Sequence, residues 1–191
     1  MRLFYIPDGH RRYAEAAGCS LVKAYEIGYD VLLHEVIVPL FDEGVEYVDI
    51  FLLSSLNLRR RETSELDALI EHGTPMLHRL IDECRPLASI RTVGTFLPKN
   101  IEIPNPSTDR ELTLVVGSVV DDDIGCQEAD LFVRSGGEIR LSGAPRTIVG
   151  NYTQFYGLPQ LHPELTFADV KQCLDSYRQR YMRRTDAVNV M

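Results

Sequence analysis

The chain has 191 residues, 45% of them apolar, which is enough for one domain with a full core and too little for two large ones. Its formal charge of −8 excludes a broad nucleic-acid surface, because phosphate-backbone binding needs an extended basic face, so any phosphate handled here is a small one. Four cysteines, at 19, 84, 126 and 173, have neither CxxC nor CxH spacing, so no zinc cage or redox pair is predicted and a reduced, cytoplasmic setting is expected.

The chain opens on an apolar strand, Leu3-Phe4-Tyr5-Ile6, with no charged leader and no long apolar run, so neither a signal peptide nor a membrane span is expected. The strand stops at Pro7-Asp8-Gly9-His10, followed by Arg11-Arg12-Tyr13-Ala14. A carboxylate here stands among cationic donors at a strand end. Backbone N–H groups, the dipole of the following helix and Arg12 can converge on an anion, and a carboxylate beside bound phosphates calls for magnesium between them. Read alone, Asp8-Gly9 is equally a simple turn.

From Ser20 to Asp42 the apolar residues Leu21, Tyr25, Leu32, Val36 and Leu40 recur at helical spacing, with Ser20 as the N-cap and Gly44 as the stop. Tyr47 to Ser54 is a near-continuous apolar run of the kind buried on both faces of a parallel sheet. A second helix is predicted from Thr63 or Ser64 to Cys84, broken or kinked at Gly73 and Pro75. Strands follow at Ser89 to Val93 and Glu111 to Val120, separated by an irregular, exposed Pro/Asn-rich loop from Pro98 to Arg110.

The next strand, Ala129 to Val133, runs into Arg134-Ser135-Gly136-Gly137-Glu138-Ile139-Arg140-Leu141-Ser142. Arg134 and Arg140 offer guanidinium forks and Ser142 a hydroxyl to a second phosphate group. Taken alone this is an ordinary Gly-Gly turn with solvated arginines. Together, the two strand ends describe a diphosphate pocket. A further element is expected at Asn151 to Tyr156, where Tyr152, Phe155 and Tyr156 are core or cavity wall, and a last helix at Thr166 to Arg183. Strands alternating with helices over residues 1–191 predict a single α/β domain with an open, mostly parallel sheet, whose ligands sit at the carboxyl ends of the strands.

PDGHRRYA resembles the MDGNxRWA signature of the cis-prenyltransferases, the undecaprenyl diphosphate synthase family, and DLFVRSGGEIRLS resembles that family's DLxIRTGGExRxS. The segment from Gly44 to Arg60, with Ser54-Ser55, Asn57 and Arg60, is similar to the strand that ends in SxENWxR. The resemblance implies a six-stranded parallel sheet flanked by helices, a homodimer, a hydrophobic tunnel and two sites for prenyl diphosphate substrates. It implies that Asp8 is catalytic and holds Mg2+. Gly9, His10, Arg11 and Arg12 would line the allylic diphosphate site, Arg134, Arg140 and Ser142 would hold the second diphosphate, and Asn57 and Arg60 would assist ionisation.

The chain also departs from the family. The helix arginine and histidine are Leu21 and Tyr25, the tryptophan and glutamate of the third segment are Leu58 and Leu56, and a metal-binding glutamate is Gln154. Arg11 stands where a small residue is usual, either restoring lost positive charge or pointing to solvent, and His10 either donates a proton to the leaving diphosphate or simply fills the family's asparagine position. Asp121-Asp122-Asp123 reads as a solvated loop or an added metal ligand, and His72 and His78, six apart, as surface or packing residues.

Only about ten residues separate the strand ending near Val120 from the one at Leu131, where most members carry a helical segment. With the expected kink at Gly73 and Pro75, this argues against a long polyprenyl product and for a short, divergent member similar to the lavandulyl-type synthases. Three functions fit the motifs. The first is ionisation of a short allylic diphosphate and its coupling, irregular or cyclising, to a second one; the others are a single-substrate terpene synthase or diphosphate lyase, and a non-catalytic partner subunit, which the retention of Asp8 disfavours.

Overall fold

The strand Arg2–Ile6 (β1) is buried along its whole length because it lies inside a sheet, parallel to Tyr47–Ser54 (β2) on one side and to Leu131–Arg134 (β6) on the other. The computed structural model describes residues 1–54, 63–94, 101–118 and 127–188. Within them the sheet is completed by Ser89–Val93 (β3), Glu102–Ile103 (β4), Glu111–Ser118 (β5) and Gln154–Gly157 (β7), in the order β4-β3-β5-β2-β1-β6-β7. Seven strands therefore replace the six expected. Six of them are parallel, and the seventh, β4, is a two-residue antiparallel return against β3 inside the stretch expected to be an irregular loop. Two residues carry no periodicity for a sequence to show.

Odd and even residues of β1 face different cores, as a pleated strand requires. Leu3 and Tyr5 join Val48, Ile50, Leu112, Leu114 and Val133 under the helices, whereas Phe4 and Ile6 face Phe51, Val115, Phe132, Ala144 and Ile148. On this second face Phe132 stacks on Phe4 (centroids 5.5 Å apart) and on Phe155 (4.1 Å), roofed by Ala144, Ile148 and Leu141. Tyr152, expected as core or cavity wall, is instead largely exposed.

The helices are His10–Ala17 (α1), Leu21–Val31 (α2), Val38–Asp42 (α3), Thr63–Cys84 (α4) and Phe167–Val188 (α5). The Ser20 hydroxyl caps α2 as expected, accepting the Lys23 N–H at 3.1 Å. A π-helical segment, Leu32–Ile37, joins α2 to α3. It precedes Pro39, which has no N–H to send back to the Glu35 carbonyl, so the wider register falls where an α-helix would lose a bond. Of the break or kink expected at Gly73 and Pro75, the break does not occur. Helix α4 runs through both, and packing of Leu80, Ile81 and Cys84 into the main core offsets the hydrogen bond that Pro75 forfeits. No helix of the described residues is long and apolar enough to cross a membrane.

Candidate active site

The chain turns from β1 into α1 at Gly9, whose φ of 109° suits glycine alone and where a Cβ would lie 2.8 Å from the Leu161 side chain. No side chain caps α1, so its first N–H groups and positive dipole end are left beside Asp8. The loop is pinned from the far motif. The buried Ser135 hydroxyl accepts the Asp8 N–H at 2.8 Å, and the His162 N–H donates to the Asp8 carbonyl at 2.8 Å.

Arg134, at the end of β6, donates from Nη2 to Asp8 Oδ2 at 2.6 Å, and Arg12 Nη2 stands 3.7 Å from Asp8 Oδ1. Arg134 Nη1 donates to the Arg140 carbonyl and the Ser142 hydroxyl, each at 2.5 Å, and Arg134 Nε is buried without a hydrogen-bond partner among the described residues. Ser142 has a φ of 50°, a conformation that a serine holds at a cost and that aims its hydroxyl at Arg134. The Arg134 side chain is 4% exposed and Asp8 32%, so the guanidinium is enclosed while its carboxylate partner still reaches open space.

That space is two cavities. The larger, about 590 Å3, is bordered by Asp8, Gly9, His10, Arg11 and Arg12 at its polar end and by Tyr29, Leu32, Leu52, Met76, Leu77 and Leu80 along its apolar walls. The smaller, about 170 Å3, is bordered by Asp8, Ser54, Phe51, Arg134, Arg140 and Ser142. Pro7, Asp8, Leu52, Leu53 and Arg140 belong to both. The two motifs, over 120 residues apart, thus meet at the carboxyl ends of adjacent strands β1 and β6, where an open α/β sheet gathers its ligands.

Motif reading overlooked three residues. Ser135 and Glu138 lie inside the second motif; Ser135 anchors Asp8, and Glu138 borders the larger cavity and pairs with Arg140 at 3.3 Å. His162 has no motif around it. Its Nε2 faces the Gly28 carbonyl at 2.9 Å, which can only accept, so Nε2 carries the proton and Nδ1 accepts from the Tyr5 hydroxyl at 2.7 Å. Burial, and next the nearby His10, hold the His162 imidazole well below its ordinary pKa, while burial pushes the Tyr5 phenol above its own, so both are neutral.

Asn57, Arg60 and Asp121-Asp122-Asp123 lie outside the described residues. Gln154 sits at the start of β7, level with Leu131 and three residues short of the Arg134 level, and its side-chain carbonyl accepts from the Tyr156 hydroxyl at 3.0 Å. His72 borders the larger cavity and His78 is exposed. Among the described residues no group of three or more His, Cys, Asp or Glu side chains could hold a metal. Among the described residues Asp8 is the carboxylate that borders both cavities, and with phosphate oxygens and water filling the shell it fits magnesium.

A sequence model of the undecaprenyl diphosphate synthase family matches residues 6–103, just over half of the chain. The chain is 25% identical, over 92% of its length and 84% of the relative's, to the tritrans,polycis-undecaprenyl-diphosphate synthase (geranylgeranyl-diphosphate specific) of Sulfurisphaera tokodaii. It is 28% identical to the enzyme of the same name from Aeropyrum pernix, over 94% of this chain and 96% of that one. Its fold is similar to that of lavandulyl diphosphate synthase from Lavandula x intermedia, solved in complex with dimethylallyl diphosphate, with a TM-score of 0.76 and 20% identity over 93% of this chain and 94% of the other. With Asp8 at the start of the matched stretch and the sheet shared with a solved relative, the chain belongs to the undecaprenyl diphosphate synthase family of prenyltransferases.

Proposed function

We propose that the protein ionises a short allylic prenyl diphosphate in the larger cavity and couples it to a second isoprenoid diphosphate held in the smaller one. The observation that carries this reading is that Asp8 and Arg140 border both cavities, so two diphosphates would meet over one carboxylate. Gly9, His10, Arg11, Arg12 and the α1 N-terminus hold the donor's diphosphate; Arg134, Arg140 and Ser142 hold the acceptor's, and Asn57 and Arg60 assist ionisation.

Heterolysis of the donor C1–O bond sends its electron pair to the departing diphosphate and leaves an allylic cation. The acceptor's double bond supplies the pair for the new C–C bond, and one proton passes from the coupled cation to a released diphosphate oxygen. Leu32, Leu52, Met76 and Leu77 keep water from the cation, and no protein nucleophile is needed. Asp8 and the diphosphate oxygens would hold magnesium, and the chemistry it would supply is charge neutralisation of the leaving group.

A short donor is favoured by a cavity of about 590 Å3, within the roughly 300–1,000 Å3 of small-molecule sites. Irregular coupling is favoured by Leu21 and Tyr25, which leave the donor site without two cations of its relatives. The protein works as a cytoplasmic homodimer, in keeping with its family and with Cys19, Cys84 and Cys173 as free thiols. The smaller cavity disfavours single-substrate ionisation, and the Asp8 constellation disfavours a non-catalytic partner.

Incubation with labelled dimethylallyl, geranyl and farnesyl diphosphates, singly and in pairs, tests the reading by mass spectrometry. A product carrying the carbon of two substrates and one diphosphate is expected. A hydrocarbon or alcohol carrying the carbon of one substrate would establish the lyase instead.

A further inference from the structure

Gly28 lies in the interior of α2, where glycine is the poorest helix former after proline, and it has no positive φ to justify it. The space beside it does. A Cβ at residue 28 would fall 2.3 Å from His10 Nε2, 2.8 Å from His10 Cδ2 and 3.3 Å from His162 Cδ2. The His10 ring therefore occupies the volume that any side chain at this position would take. On its other sides it meets the Tyr25 ring (centroids 5.0 Å apart) and the His162 ring (5.2 Å), and the latter is fixed by its bonds to Tyr5 and to the Gly28 carbonyl itself. His10, Tyr25, Gly28 and His162 all border the larger cavity.

We propose that Gly28 is a positioning residue: the gap it leaves in α2 is a slot that seats the His10 imidazole against His162 and Tyr25, setting the ring for contact with the donor diphosphate. The inference rests on the proposed donor site and adds to it the element that aims one of its ligands. It also gives a physical reason for an unfavourable helix residue. Because Gly28 is on α2 and His10 on α1, the slot also sets the approach of the two helices at the cavity wall.

The test is a double-mutant cycle on the full chain with inorganic pyrophosphate and magnesium as the probe, read by calorimetry. Gly28→Ala improves helix propensity, so its melting temperature is expected to stay level or rise, while pyrophosphate binding weakens about tenfold, the size of one lost directed contact. His10→Ala is expected to weaken binding to the same extent. Gly28→Ala added to His10→Ala should then change binding little, because the His10 ring is gone and only the 3.3 Å approach to His162 Cδ2, relieved by a small shift, remains. As a spectroscopic signature, the His10 ring 15N resonances are expected to move on pyrophosphate addition in the parent protein and to stay still in the Gly28→Ala variant.

Additive losses in the double variant, or unchanged binding in Gly28→Ala, would overturn the proposal. If Gly28→Ala fails to fold, the double variant still decides, since relief of the collision predicts that it folds and binds like His10→Ala. A parent protein that binds no pyrophosphate would instead remove the donor site itself, a failure distinguishable from that of the slot.

Discussion

The sheet carries a carboxylate and guanidinium pair at each end, and only one of them is open. At the amino ends of the strands, Arg2 Nη1 donates to both oxygens of Asp49 at 2.9 Å, with side chains 7% and 1% exposed. At the carboxyl ends, Arg134 Nη2 donates to one oxygen of Asp8 at 2.6 Å, and Asp8 faces two cavities. At Asp49, burial raises the pKa and Arg2 opposes it, so the pair exists to keep two desolvated charges tolerable. Asp8 has Arg12 and an uncapped helix end beside it as well, more positive charge than one carboxylate needs. The surplus sets this pair apart from the structural one, as the proposed diphosphate site requires.

This contrast separates stability from activity. Asp8→Asn, which keeps a side-chain oxygen for the enclosed Arg134 guanidinium to donate to, is expected to lower turnover by about 10²–10³, the scale of one removed electrostatic group in an active site, with a smaller change in the urea midpoint. Asp49→Ala is expected to do the opposite. Leaving Arg2 buried with only the more distant Glu111 carboxylate, at 3.9 Å, costs up to about 3–5 kcal/mol, read as a lower urea midpoint, while the protein that remains folded keeps its turnover. Replacing both partners, as Arg2→Met with Asp49→Leu, should recover most of that loss, since a buried pair is often no better than an apolar one.

A smaller effect sharpens the open end. Arg134→Lys keeps the charge but loses the fork that reaches Asp8, the Arg140 carbonyl and Ser142 together, so acceptor affinity is expected to fall about tenfold with donor affinity changed much less. Equal losses for both substrates would deny the division of labour between the cavities.

The smallest effect concerns pH. The folded pKa of His162 lies well below its unfolded value of roughly 6.5, so its contribution to stability is complete above that value and is lost as pH falls toward the folded pKa. Between pH 7.5 and 5.5 the parent should lose about 1 kcal/mol more than His162→Phe in paired urea titrations.

Both strand-end motifs were legible because each joins a buried apolar run to residues that a core does not want, so Asp8 and Arg134 announced themselves before their meeting was visible. The central strands were legible for the same reason. Helix α4 continues through Pro75 because core packing of its second half outweighs one lost hydrogen bond, a balance that the local sequence does not display. The histidine wall was not legible at all. His162 and Gly28 are 134 residues apart, and a glycine in a helix and a histidine before a proline look unremarkable until the fold brings the ring to the carbonyl.

The most direct test of the whole account is the number of diphosphates the chain holds at once. Equilibrium titration with a non-reactive thiolodiphosphate analogue and magnesium is expected to give two per chain in the parent protein and one in Arg134→Ala. One per chain in both proteins would contradict the pair of sites that meet at Asp8.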